Sequence, residues 1–137
     1  MKKTLSLIAF LLCLSFSSMA QADYRVVFDF TSKDSIDQKS VIRWINGITK
    51  GEPSAKIEVV MYGQGINLVV KGRSFVSEDV VRLAANKNVS FNVCAVALQN
   101  LNVDKSQLLE GVGTVPDGIY EIITKQREGW GYIKVKN

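Results

Sequence analysis

Few residues in this chain could do chemistry, and the most telling is a cysteine. Cys94 closes the run "VSFNVC" (89–94) and comes just before a helix-like run that begins at Ala95. A thiol at such a junction faces the free amides and the positive end of a helix, which favour the nucleophilic thiolate. The same position also suits a packed, inert core cysteine, because free cysteine is among the most buried residue types. The chain contains no histidine, so neither a Ser-His-Asp triad nor a Cys-His pair can form within it. The commonest metal ligand is therefore missing, and the carboxylates are not spaced around the thiol as a zinc or copper site would need. No metal and no cofactor is expected. Gly63 and Gly65 follow a strand-like run, but the third glycine of a dinucleotide fingerprint would fall at Leu68. The pair reads as a tight turn that uses glycine's backbone freedom.

The elements that must position these residues alternate between strand and helix patterns, which predicts an α/β domain with a mostly parallel sheet. "YRVVFDF" (24–30), "KIEVVMY" (56–62) and 89–94 are rich in β-branched and aromatic residues and predict three strands. "VGTV" (112–115) and "WGYIKV" (130–135) predict two more. Ser35 with Gln38 has the form of a capping box, and Val41, Trp44, Ile45 and Ile48 recur at helical spacing up to about Lys50. Residues 63–72 read as a loop with a short helical turn. Ser77 is expected to cap a second helix with Val80, Leu83 and Ala84 inward. A short helix follows from Ala95 to Leu101, and Asp104 with Gln107 can cap one more turn. Pro116-Asp117 opens a last helix, expected to turn Ile119, Ile122 and Ile123 inward and to end near Gly129. Within 89–94, Ser90, Asn92 and Cys94 share one face, more polar than that of a strand covered on both sides. Asp29 reads as a surface residue on a partly open face, Trp44 as core, and Trp130 and Tyr132 as core or subunit interface. Ligand sites in such sheets lie at the carboxyl ends of the strands, which here means the loop after Tyr62 and the junction at Cys94.

Residues 1–22 read as a secretory signal peptide, and 23–137 as a single domain. Lys2 and Lys3 precede an apolar run from Leu5 to Phe16, and Ser18-Met19-Ala20 and Ala20-Gln21-Ala22 both fit a small-x-small cleavage site. The run is shorter than the roughly 20 apolar residues that span a membrane. Without Lys2 and Lys3 the 17 basic residues fall to 15 against 13 acidic ones, a net charge of +2 rather than +4. No basic run exceeds two residues, so nucleic acid is not an expected partner. A periplasmic or secreted location is expected, with no membrane association after cleavage. Cys13 would leave with the signal, and Cys94 would remain as a lone thiol in an oxidising compartment.

An ordered set of motifs resembles the DsrE/DsrF-like family of sulfur-relay proteins over nearly all of residues 23–137. Gly63 and Gly65 follow an apolar strand. Cys94 ends the third strand. Asp104, Leu108 and Leu109 form an Asp-x-x-x-Leu-Leu turn, and Val115, Pro116 and Gly118 follow. Glu128, Gly129, Trp130, Tyr132, Ile133 and Lys134 close the series. The resemblance implies a three-layer sandwich with a five-stranded parallel sheet, assembly into trimers or hexamers, and a cysteine that carries sulfur as a persulfide. Cys94 would be that cysteine, with Tyr62, Gly63, Gln64, Gly65, Asn92 and Ala95 shaping its pocket and a thiol- or persulfide-bearing protein as partner. Two positions depart from relatives: Tyr62 stands where histidine is common, and Val96 with Ala97 where a polar pair is common. Both make the pocket less polar. Two readings stay open: a sulfane-sulfur carrier, or a non-enzymatic oligomeric ligand- or protein-binding module with Cys94 as a packed core residue.

Overall fold

Three apolar runs become the central strands of a five-stranded sheet. In this computed structural model, which describes residues 23–136, the strands are β1 (Arg25–Phe30), β2 (Lys56–Met61), β3 (Val89–Cys94), β4 (Gly113–Val115) and β5 (Gly131–Val135). The signal-peptide reading of 1–22 lies outside the described residues. The strand order is β4-β3-β2-β1-β5, and every pairing is parallel. All carboxyl ends therefore lie along one edge of the sheet.

Strand residues alternate between faces, and the two faces differ in chemistry. Val26, Phe28 and Phe30, with Ile57, Val59 and Met61 and with Val89, Phe91 and Val93, build the main core on one face. It is covered by α1 (Ser35–Gly51) through Val41, Ile42 and Ile45, and by α2 (Ser77–Ala84) through Val80 and Leu83. The 3₁₀ segment Gly63–Leu68 buries Ile66 and Leu68 in the same core, as the short helical turn expected there. Trp44 is half-buried and stacks on Phe28, ring centroids 6.2 Å apart.

The other face carries Asp29, Glu58, Ser90 and Asn92 among fewer apolar groups. Among the described residues it has a small core of Val27, Val60 and Ile122. Ile122 comes from α4 (Gly118–Arg127), so helices lie on both sides of the sheet and the three layers are present. Asp117 caps α4 by accepting from the amides of Ile119 at 2.8 Å and Tyr120 at 3.1 Å. At its other end Gly129 has φ +84°, and the amides of Gly129 and Trp130 bond back to the carbonyls of Gln126 and Lys125. That pairing is a Schellman motif, which needs a left-handed residue.

Three expectations change. Asp34, not Ser35, caps α1: its carboxylate accepts from Ile36 N at 2.6 Å, while Gln38 is buried and accepts from Phe75 N. Val76 occupies the cap position of α2, and Ser77 lies inside its first turn, bonded back to the Ser74 carbonyl. Ile119 and Ile123 are exposed, and only Gly118 and Ile122 of α4 are buried. The cause is the face beneath the helix, which presents a buried carboxylate as well as apolar surface.

That carboxylate is Glu58, whose side chain is 3 % exposed. Lys125 of α4 reaches it at 3.2 Å, and Asn92 donates to it at 2.8 Å. Burial pulls the Lys125 ammonium down, but Glu58 and Glu121 outweigh it, so its pKa is raised and it stays charged. Trp130 closes over the same ammonium, 4.8 Å from ring centroid to nitrogen. Removing the cation would leave Glu58 buried and unpaired. Lys125→Met is therefore expected to cost about 3 kcal/mol in denaturant unfolding. A loss under about 1 kcal/mol would show that the pair does not hold α4 in place.

Candidate functional site

Cys94 is both the last residue of β3 and the cap position of α3 (Ala95–Asn100). The six residues of α3 sum to a smaller dipole than a long helix would carry. The thiol residue is 6 % exposed and belongs to the edge of the main core. It also opens on a cavity of about 260 Å³ lined by Tyr62, Gly63, Val96, Ala97, Asn100, Leu101, Asp117 and Ile119. This cavity stands at the carboxyl ends of β2 and β3, the edge where parallel sheets place ligands.

The start of α4 forms one wall by close approach. A methyl at Gly118 would sit 3.1 Å from Cys94 Cβ, 3.2 Å from Val60 Cγ1 and 3.6 Å from Tyr62 Cβ. Glycine lets the helix backbone lie directly on the cysteine. Val115 is the register partner of Cys94, so the segment Val115–Gly118 leads from the sheet straight into this wall.

The expected site residues divide. Tyr62, Gly63 and Cys94 come together at the cavity. Gln64 is exposed and accepts from Asn67 Nδ2 at 3.3 Å. Gly65 is buried with its Cα against the backbone of Phe30, where a methyl would overlap the carbonyl. Asn92 turns towards Glu58 rather than towards the thiol. Ala95 lines a neighbouring cavity of about 610 Å³, together with Leu98, Val103, Lys105 and Pro116. Residues not anticipated at the site are Asn100, Leu101, Asp117 and Ile119. Asn100 and Leu101 follow Ala97 at i+3 and i+4, which places all three on one helix face. Asp117 and Ile119 arrive through the tertiary fold alone.

Behind Tyr62 lies a polar cluster built on Asp29. Asp29 is buried rather than on the surface, and it accepts from Tyr132 Oη at 2.7 Å and Lys134 Nζ at 2.9 Å. Lys134 also donates to Thr31 Oγ1 at 3.0 Å, and its ammonium stands 5.4 Å from the centroid of the Tyr62 ring. Burial, then the charge of Asp29, raises the pKa of the Tyr62 phenol, so it lines the cavity as a neutral group. The hydrogen bond to Asp29, with burial, pushes Tyr132 up to about 12. Among the described residues no three potential ligands from His, Cys, Asp and Glu come together, and no helix is long and apolar enough to cross a membrane.

The sequence profile of the DsrE/DsrF-like family matches residues 6–135. Among solved structures, a protein of unknown function from Methanobacterium thermoautotrophicum is similar at TM-score 0.77 and 36 % identity, over 82 % of this chain and 99 % of that one. A conserved protein of unknown function from Bacteroides thetaiotaomicron gives TM-score 0.69 at 13 % identity, over 87 % of this chain and 100 % of that one. The ychN protein from E. coli gives 0.67 at 11 %, over 81 % and 98 %. At those two lower identities the likeness is one of fold. No curated protein matches the chain.

Two outcomes follow from this geometry. Gly65→Ala must push the 3₁₀ segment off β1, with an expected loss of about 3 kcal/mol measured by chemical denaturation. A neutral result would mean that the segment moves freely. Tyr132 should titrate near pH 12, and Asp29→Asn should return it towards 10 in a phenolate absorbance titration. Its folded pKa is raised, so the stabilisation is complete below pH 10 and is lost as pH climbs through 12. An unshifted Tyr132 would remove the Asp29 bond from the account.

Proposed function

We propose, from the premise that the chain belongs to the DsrE/DsrF-like family, that Cys94 carries sulfane sulfur as a persulfide. The observation that carries this reading is a free cysteine opening on a cavity at the carboxyl edge of a parallel sheet. In the reaction the Cys94 thiolate attacks the outer sulfur of a donor persulfide. The donor's S–S bond breaks, the donor leaves as a thiolate, and Cys94 holds the sulfur. An acceptor thiolate then attacks that outer sulfur and releases Cys94 as a thiolate. Sulfur moves without net oxidation, so no redox cofactor is needed. Tyr62, Gly63 and the first turn of α4 shape the space in which the two sulfurs meet.

The same reading places the protein outside the cytoplasm, in keeping with the signal-like residues 1–22, and has it work as a homo-oligomer with a thiol- or persulfide-bearing protein as partner. Ile119, Tyr120, Ile123 and Tyr132 are exposed on the thinly covered side of the sheet and support an interface there. A second reading, a binding module with an inert thiol, is favoured by the low exposure of Cys94.

Intact mass after treatment with a polysulfide donor separates the two. The carrier should gain roughly 32 Da per sulfur, lose it to reductant, and gain nothing as Cys94→Ser. If the folded protein stays unmodified while the unfolded protein reacts, Cys94 is core packing and the carrier reading is wrong.

A further inference from the structure

We infer that the open edge of β5, with the apolar groove between β5 and α1, is a docking site for an extended, acidic segment of a partner protein, which adds to the sheet as one more strand. This site does not involve Cys94, and it lies on the opposite side of the sheet from α4.

Strand register explains the groove. Val26, Phe28 and Phe30 face the main core, and their partners on β5 are Gly131, Ile133 and Val135. Gly131 and Ile133 are exposed, so α1 covers β1 but stops short of β5. The uncovered strip is a cavity of about 520 Å³, with Trp44, Gly47 and Ile48 of α1 on one side, Ile133 on the other and Phe28 between them. Gly47 leaves the wall open, because a Cβ there would meet nothing within 4 Å. A cavity of about 340 Å³ meets the strip at Ile133 and continues it to Gly131 and Tyr24. Beside this strip β5 pairs only with β1 among the described residues, so its outer backbone groups have no strand partner. An added strand satisfies those groups and turns alternate side chains into the groove.

Charge selects the occupant. Arg43 lines the groove, and Lys39 and Lys50 are exposed on the same outer side of α1. Among the described residues none of the three has an ion-pair partner. Asp23 and Arg25 both line the far end of the strip, and their charges offset. An acidic side chain on the added strand therefore meets an unopposed cation at Arg43. The same charge disfavours two other occupants. A second copy pairing antiparallel through its own β5 would set both α1 helices on one face of the joined sheet, Arg43 towards Arg43. Residues 1–22 hold two lysines and no acid.

The test is fluorescence anisotropy of a labelled peptide, Asp-Asp-Val-Thr-Val-Thr-Val-Asp-Asp, titrated with the full chain. It should bind, and binding should weaken by about ten-fold or more when lysines replace the aspartates or when the central residues are N-methylated. Gly47→Leu should fill the groove and abolish binding, while leucine, a good helix former, keeps α1 intact. Arg43→Glu should reverse the preference between the aspartate and lysine peptides. Cys94→Ser should bind as the wild type does, which separates this site from the carrier reading. No rise in anisotropy overturns the docking site, as does binding that Gly47→Leu leaves unchanged or that Cys94→Ser abolishes. If sedimentation shows an oligomer that Gly47→Leu disperses, the groove holds a second copy. If the peptide binds only after residues 1–22 are removed, the groove holds the chain's own start. Either result overturns the assignment to a partner protein.

Discussion

One buried ion pair, Glu58 with Lys125, decides how the second face of the sheet is closed. A carboxylate in the middle strand of a parallel sheet is costly unless a charge and hydrogen bonds meet it. Lys125 and Asn92 supply both. To bring Lys125 there, α4 must lie across β2 with Ile122 on Val27 and Val60. Its remaining large apolar side chains then have nowhere to go but outward. The polarity of this face and the exposed stripe on α4 are thus two results of the same placement.

The placement also builds the site. With α4 fixed at Lys125, its first turn falls on the end of β3, and Gly118 closes against Cys94, Val60 and Tyr62. A helix backbone therefore closes directly on the cysteine, and the cavity beside it is bounded by the turn after β2, by α3 and by the start of α4. Tyr62 is held from behind by the Asp29 cluster, which ties the wall of the cavity to β1 and β5. The site thus draws on two ion pairs of the polar face, Glu58 with Lys125 and Asp29 with Lys134.

Local pattern was enough for the strands, because each run of β-branched and aromatic residues is short and bounded by turn signals. β3 spans Val89–Cys94 as read, and the Asp104–Gln107 capping box forms as its spacing implies. Where the structure departs from local pattern, the causes are physical. Asp34 and Ser35 are both good caps one residue apart, and it is the Asp34 carboxylate that accepts from an amide of the first turn. Ile119, Ile122 and Ile123 have inward spacing, yet the opposing face is partly a carboxylate, which no local window contains. Asn92 shares a face with Cys94 in sequence and still turns away, because Glu58, two residues before its register partner Val60 on the neighbouring strand, accepts its amide. Asp117 was legible as a helix start. Its place at the mouth of the cavity depends on contacts more than twenty residues away in the chain.

The pairing of β1 with β5 has a consequence for how the chain acquires its structure. Asp29 waits for Tyr132 and Lys134, which lie 103 and 105 residues further on. Until β5 has been made and delivered, β1 is an open sheet edge with a carboxylate beside its unpaired ladder, and contacts of such long range form slowly. A partly synthesised chain is therefore kept from finishing its sheet. In that interval the carboxylate is also a safeguard, since a charge on an open edge discourages pairing with other chains. The residue that later steadies the wall of the cavity first protects the strand while it has no neighbour.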